Sequence, residues 1–454
     1  MAKSQLPKDF LWGAATSSYQ IEGAVKEGGR LPSIWDKFCY EPGRIEDGTN
    51  GDEACDHYHR WEADLDLMKS LNLKAYRFSI AWPRVMPKGT GAINPDGVKF
   101  YNNLIDGLLK RGIEPWVTLY HWDLPLALDE HGGWLNREVV DQFTAYAREM
   151  VKLFGDRVKH WITHNEPWCV SHLGYRTGEH APGLKDSRKA YIAAHHVLMS
   201  HGKAVPAMRE VHKDLHIGIT LNLCPAYPAS GSTIDAEATK KFDGEFNRWY
   251  LDPVFKGQYP EDMLPFASKD CGPQGMDFVK PGDTAMMNVA TDFFGINYYS
   301  RAVIRGDEHA PGQLPRTLSQ SEEVTDMGWE ISPKGLEDVL VRVQNDYHPQ
   351  KIYVTENGCA YADGPDAKGS IADQRRLTYL ADHFKAAENA IARGAKLAGF
   401  FVWSLFDNFE WAFGYKKRFG IVWVDYETQE RIPKSSALWY ANVIKNHDIT
   451  PPRD

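Results

Sequence analysis

The sequence of 454 residues predicts an α/β protein: a single (β/α)8 TIM barrel with long loops on its C-terminal face, occupying residues 1–454 as one domain. Three observations carry this. Eight short apolar runs recur along the whole chain, segments with helical spacing lie between them, and no Pro/Gly/Ser-rich or charged linker separates one half from the other.

The runs cover residues 10–16, 75–80, 114–121, 158–166, 216–223, 292–299, 351–356 and 397–405. Most are continuously apolar instead of alternating, as strands buried on both faces of a parallel sheet are. Between them, Trp61, Leu65, Met68 and Leu71 share one helical face. So do Val140, Phe143, Ala147, Met150 and Phe154, and later Leu377, Leu380, Phe384, Ala387 and Ile391. Gly112, Gly155 and Gly394 each stand between a helical segment and the next strand, where a helix would close. Residues 224–246, 267–284 and 304–328 are rich in Gly, Pro, Asp and Ser and are expected to be long loops shaping an entrance. There is no internal repeat and no low-complexity tract.

Composition narrows the classes. The chain is 43% hydrophobic and 25% charged, with no apolar run near the roughly 20 residues of a membrane span. A net charge of −9 and the absence of a dense Lys/Arg cluster argue against a nucleic-acid partner. The first ten residues lack a basic region, a long apolar core and a cleavage site, and the six cysteines are widely spaced with no Cys-x-x-Cys, so a cytoplasmic location with reduced thiols is expected. Nothing in the sequence assigns an oligomeric state.

Two glutamates give the barrel its chemistry. Glu166 and Glu356 each end an apolar run and head a short polar tag, His164-Asn165-Glu166-Pro167 and Thr355-Glu356-Asn357-Gly358. Far apart in sequence, they meet only if the strand ends converge on one rim, as in a barrel. The same rim would gather Gln20, Arg77, His121, Trp122, Asn165, Asn297, Tyr299 and Trp403. Amides, imidazole and carboxylates grip hydroxyls while indole stacks on the apolar face of a ring, so the set suits a sugar. Two carboxylates flanking a glycosidic bond can divide the work, one protonating the leaving oxygen and the other attacking, or activating water to attack, the anomeric carbon. The attacking one must be ionised; Arg77 is the candidate to favour that, and Tyr299 the candidate to bond the same carboxylate.

These residues resemble the family 1 glycoside hydrolases, the β-glucosidases and their relatives. The likeness runs through Phe10-Leu11-Trp12-Gly13-Ala14-Ala15-Thr16 with Gln20-Ile21-Glu22-Gly23, Tyr76-Arg77-Phe78-Ser79, and His121-Trp122-Asp123-Leu124-Pro125. It continues in Thr163-His164-Asn165-Glu166-Pro167, Asn297-Tyr298-Tyr299, Val354-Thr355-Glu356-Asn357-Gly358 and the stretch from Trp403 to Trp411. The resemblance implies a cofactor-free, retaining β-glycosidase with Glu166 as acid/base and Glu356 as nucleophile, passing through a covalent glycosyl-enzyme. It implies that Gln20, His121, Asn165, Glu410 and Trp411 hold the terminal sugar and that Trp403 is its platform. The substrate expected is a small β-glycoside or oligosaccharide. Glucose is the leading terminal sugar, and galactose and fucose are alternatives served by the same residues. Relatives acting on 6-phosphorylated sugars carry a serine and a lysine after the eighth strand, where this chain has Glu410 and Trp411, so an unphosphorylated sugar is expected. The plant thioglucosidases of the family lack the acid/base glutamate, so an oxygen-linked glycoside is expected.

Structural readings compete at each point. Arg77 could serve a buried ion pair as well as tune a carboxylate, and most of the fifteen tryptophans, Trp61, Trp82 and Trp439 among them, read as packing. His57, His59, His195 and His196 lack partners at metal-ligand spacing, and the polar loop of Asp47, Asn50 and Asp52 lacks the calcium pattern, so no metal is expected. No Gly-x-Gly-x-x-Gly follows a strand, which removes support for a nucleotide. Trp168, Leu173 and His180 are weaker candidates for leaving-group contacts; Cys169 either lines the same channel or is a packed thiol. A transglycosylase using the same intermediate remains an alternative. A non-catalytic sugar-binding barrel predicts loss of a key glutamate, and this chain keeps both.

Overall fold

A computed structural model describes residues 6–307, 316–318 and 323–452. Eight parallel strands close into a barrel in sequence order: β1 (Leu11–Ala15), β2 (Ala75–Ser79), β3 (Glu114–Tyr120), β4 (His160–Asn165), β5 (His216–Asn222), β6 (Phe293–Asn297), β7 (Ile352–Asn357) and β8 (Leu397–Trp403). Pairing of β1 with both β2 and β8 completes the ring and leaves no free edge. Each of the eight runs read from the sequence corresponds to one of these strands; seven are trimmed at one or both ends, and the run 351–356 is shifted by one residue to Ile352–Asn357.

The barrel is filled, not hollow. Trp116 lies at its centre with Tyr353 at 4.7 Å, Phe401 at 5.0 Å and Phe293 at 5.1 Å, ring centre to ring centre, and His160 stacks on it at 4.1 Å. This aromatic cluster packs the lower half of the barrel, away from the strand ends at Asn165 and Glu356. A larger apolar layer joins the outer strand faces to the helices. The helix His57–Ser70 contributes Leu65 and Met68, while Val139–Phe154 buries all five residues predicted for its face. Gln374–Ala392 does the same except at Ile391, which is half-buried. Gly112 and Gly394 end their helices with φ of +73° and +98°, the left-handed geometry that glycine adopts without strain. Gly155 ends its helix at φ −69°; there, space is the constraint, since a β-carbon would lie 2.6 Å from the Val151 carbonyl oxygen.

All three expected loops are in part regular structure. Residues 224–246 hold a short strand, Ala226–Pro228, and a helix, Thr233–Asp243, capped by Ser232. The strand pairs with Ala302–Arg305, which pairs in turn with Arg316–Leu318, so a small sheet stands on the rim. Residues 267–284 include most of the helix Leu264–Asp270 and the start of Asp283–Met287. Turn-forming residues in these stretches mask short elements held by tertiary contact. Residues 308–315 and 319–322 of the third expected loop lie outside the described residues, as do residues 1–5 and 453–454. None of the six cysteines is in a disulfide. His57 bonds Asp64 and His195 bonds Asp283 inside the core, whereas His59 is exposed. Among the described residues no three His, Cys, Asp or Glu side chains converge as a metal site would require, and no helix is long and apolar enough to cross a membrane.

Candidate active site

Both glutamate strands break register at their ends. β4 slips against β5 between Ile162 and Asn165, and β7 slips against β6 between Val354 and Glu356. Such irregularities re-aim side chains: Asn165 and Glu166 reach the rim together, as do Thr355 and Glu356. The chain then turns sharply. Glu166 has φ +50°, and Trp122 and Trp411 have φ +79° and +49°, conformations that cost a residue bearing a side chain about 1–3 kcal/mol each. On the other strand, Gly358 lets the tag after Glu356 lie against β8, because a β-carbon there would fall 1.6 Å from the Trp403 carbonyl oxygen.

One chain of hydrogen bonds links the two carboxyl groups. The Tyr299 hydroxyl donates to Glu356 Oε2 at 2.7 Å, and Arg77 Nη1 donates to Oε1 at 2.7 Å. Arg77 Nη2 donates to Asn165 Oδ1 at 2.6 Å, and its other nitrogens hold Thr118 Oγ1 and the Thr355 carbonyl oxygen. Asn297 Nδ2 donates both to Asn165 Oδ1, at 3.0 Å, and to Glu166 Oε1, at 2.6 Å. Thr355 fixes this amide by donating to Asn297 Oδ1 at 2.7 Å. The far oxygen of Glu166 accepts from Cys169 Sγ at 3.0 Å.

Charge separates the pair. Burial lifts the Glu166 carboxyl to about 8, reinforced by the negative charge of Glu356 and opposed only by neutral donors and by Arg77. Burial raises Glu356 too, outweighing its neighbours, but here the arginine is in direct contact and the tyrosine adds a second bond. A proton shared by the two therefore resides on Glu166. The result is a carboxylic acid beside an arginine-bound carboxylate, the division of labour that glycoside cleavage needs.

The remaining predicted residues surround them. His121 is held neutral by burial and by Arg77; Asn165 Nδ2 donates to its Nε2 at 3.2 Å, which leaves Nδ1 without a protein partner. The Trp403 and Trp411 rings both lie nearly parallel to the His121 imidazole, with centres 5.7 and 5.9 Å from it. Trp122 packs on Trp411 at 4.6 Å and donates its indole N–H to the Asn165 carbonyl oxygen. Gln20 is pinned by Ser17, Asn408 and the Phe409 carbonyl, and its Nε2 reaches Glu410 Oε2 at 3.4 Å. Glu410 is a third acid in the group, raised to about 8 by burial and by Glu356 and Glu166. Of the weaker candidates, Trp168 stacks on His172 at 4.6 Å and packs on Phe246 at 4.4 Å. His180 packs on Trp122 and Trp35, and its backbone N–H bonds the Leu173 carbonyl, so Leu173 takes part through the loop's shape. Cys169 is a buried thiol seated on Glu166 itself.

Comparison with known proteins agrees with this geometry. Residues 2–449 match the profile described as Glycosyl hydrolase family 1. The chain belongs to that family. It is 47% identical to Beta-glucosidase A of Thermotoga maritima, over 99% of this chain and 100% of that one. It is 42% identical to the Bifunctional beta-D-glucosidase/beta-D-fucosidase of Bifidobacterium breve, over 97% and 98%. The solved family 1 b-glucosidase from Thermotoga maritima in complex with isofagomine lactam superposes with a TM-score of 0.94 at 46% identity, covering 98% of this chain and 100% of that one. The barrel and the hydrolase chemistry expected of the sequence hold for a family 1 member.

Sequence reading of this family 1 hydrolase missed three aromatic contributors. Phe242 stacks on Phe246 at 5.5 Å, continuing the strip from Trp168, and both sit in the stretch taken for a loop. Trp329 lies 5.3 Å from Tyr299, brought there by a long excursion after β6 that carries no periodicity. Only the strand-end rule could have flagged Thr355, which stands next to Glu356.

Proposed function

We propose that this chain is a β-glucosidase. It would hydrolyse terminal non-reducing β-D-glucosyl residues from cellobiose, cello-oligosaccharides and aryl β-glucosides, with residues 1–454 as one catalytic domain. Glu356 attacks the anomeric carbon as Glu166 protonates the leaving oxygen; Glu166 then deprotonates the water that releases the sugar from Glu356. The observation that carries this is the unequal pair: Arg77 and Tyr299 on one carboxylate, and a buried carboxyl near 8 with no cation in contact on the other. Nδ1 of His121, Glu410 and the free N–H of Asn165 remain for sugar hydroxyls, with the Trp403 and Trp411 rings near His121. Relatives named β-glucosidase support glucose as the sugar. The Bifidobacterium breve relative, named for both activities, supports β-fucosides as second substrates. Six unpaired thiols fit a reducing compartment, which supports a cytoplasmic location.

A panel of nitrophenyl β-glycosides tests the reading. The β-glucoside should be turned over with the highest kcat/KM, followed by the β-fucoside and β-galactoside. Failure to cleave any β-linked sugar would remove the glycosidase assignment, and a clear preference for galactose would overturn the substrate.

A further inference from the structure

Glu166 ends up between two unlike donors. Asn297 Nδ2 approaches Oε1 at 2.6 Å with a hydrogen it cannot withdraw, since its own oxygen is tied to Thr355 and an amide nitrogen does not accept. A proton on Oε1 would therefore point against a fixed N–H. Oε2 is the oxygen left to carry it, and its neighbour is Cys169 Sγ at 3.0 Å. A thiol rotates freely and can donate weakly or accept weakly, so it suits either protonation state of Glu166.

Cys169 is placed for this by the local fold. It lies three residues on from Glu166, where the chain winds into the stretch Cys169–Thr177 and the Val170 N–H bonds the Glu166 carbonyl oxygen. Asn222, at the end of β5, donates to the same Sγ at 3.7 Å. Burial and the facing acids raise the thiol well above its ordinary range, so it stays protonated. The titratable groups around this pair are Glu356 from β7, Arg77 from β2, Tyr299 after β6, Glu410 from the loop after β8 and Tyr250 from the helix Trp249–Lys256.

We propose that Cys169 is a positioning residue of the acid/base step: its sulfur accepts from Oε2–H while Glu166 is protonated, and its S–H donates to Oε2 once the proton has passed to the leaving oxygen. The proton moves only between Oε2 and the glycosidic oxygen, then back from water to Oε2; sulfur gains and loses none. Cys169 thus fixes which oxygen delivers the proton and, being a poor donor, steadies the carboxylate less than a hydroxyl would. The proposal rests on Glu166 being the acid/base.

The test is kcat/KM against pH for the Cys169→Ser and Cys169→Ala enzymes, on cellobiose and on 2,4-dinitrophenyl β-glucoside, whose departure needs no proton. Serine, the stronger donor to the ionised carboxyl, should move the basic limb down by about 0.5–1 pH unit, and alanine should move it up. Alanine should also cost about fivefold to tenfold more on cellobiose than on the dinitrophenyl substrate, a share of the 10²–10⁴ available to general acid catalysis. In a Glu166→Gln background the same substitutions should leave the ratio between substrates unchanged. Basic limbs that stay in place, or equal losses on both substrates, would overturn the role of Cys169. If Glu166→Gln itself showed no leaving-group dependence, the acid/base assignment would fail instead, so the two failures are distinguishable.

Discussion

Glu166 and Glu356 occupy equivalent places, each at a register break at the end of a barrel strand, yet one is wrapped in neutral donors and the other is clamped by a cation. Position in the fold makes both candidates; in the proposed assignment, neighbours alone divide the roles. Burial is nearly the same for the two and raises both carboxyls, so it cannot distinguish acid from nucleophile. Direct contact with Arg77 and Tyr299 does. On that assignment the pair is specified by the side chains that touch each carboxyl group.

The largest effect should come from breaking the clamped side outright. Glu356→Gly should lose on the order of 10⁶-fold in kcat, the scale seen when a nucleophile is removed, and azide should restore turnover of an activated glucoside as the inverted glycosyl azide. Glu166→Ala should lose about 10²–10⁴-fold on cellobiose and far less on substrates with good leaving groups, with azide giving a retained product. Swapped azide stereochemistry would reverse the comparison.

Exchanging neighbours is the sharper experiment. Arg77→Met removes the cation from a buried carboxylate that must be ionised to attack, so the acidic limb of kcat/KM should move up by about 1–3 pH units. The basic limb, set by Glu166 near 8 and lost as pH rises through that value, should move much less. Tyr299→Phe removes one bond to the charged form, worth about 1.5–3 kcal/mol, and should shift the same limb in the same direction by less. Should Arg77→Met move the basic limb alone, the assignment of neighbours would be wrong. The smallest effect belongs to the rim. Phe246→Ala, which removes the ring under Trp168, should raise KM for cello-oligosaccharides by less than about tenfold and leave small aryl glucosides nearly untouched, in keeping with 0.5–1.5 kcal/mol for an aromatic pair.

Much of this was legible in the sequence, for identifiable reasons. Strands buried on both faces leave continuous apolar runs, so all eight could be read, and the residues closing β4 and β7 followed from them. Arg77, within β2, and Tyr299, just past the end of β6, could be nominated because the strands that carry them lead to the same rim. What the sequence hid lies where tertiary contact overrides local signal. The helix Thr233–Asp243 and the small rim sheet read as loop because Pro225, Pro228, Ser230, Gly231 and Ser232 give the stretch before the helix a turn-rich composition and the elements themselves are short. The Trp168–Phe246 strip joins two segments far apart in the chain. The seat of Cys169 on Glu166 depends on a left-handed turn at Glu166 that no periodicity announces.

The division of roles can be tested most directly by trapping the intermediate. With an activated 2-deoxy-2-fluoro-β-glucoside, which slows release of the bound sugar, mass spectrometry of the digested enzyme should find one sugar attached to the peptide bearing Glu356. Label on Glu166, or complete hydrolysis with inversion and no labelled peptide, would contradict the account.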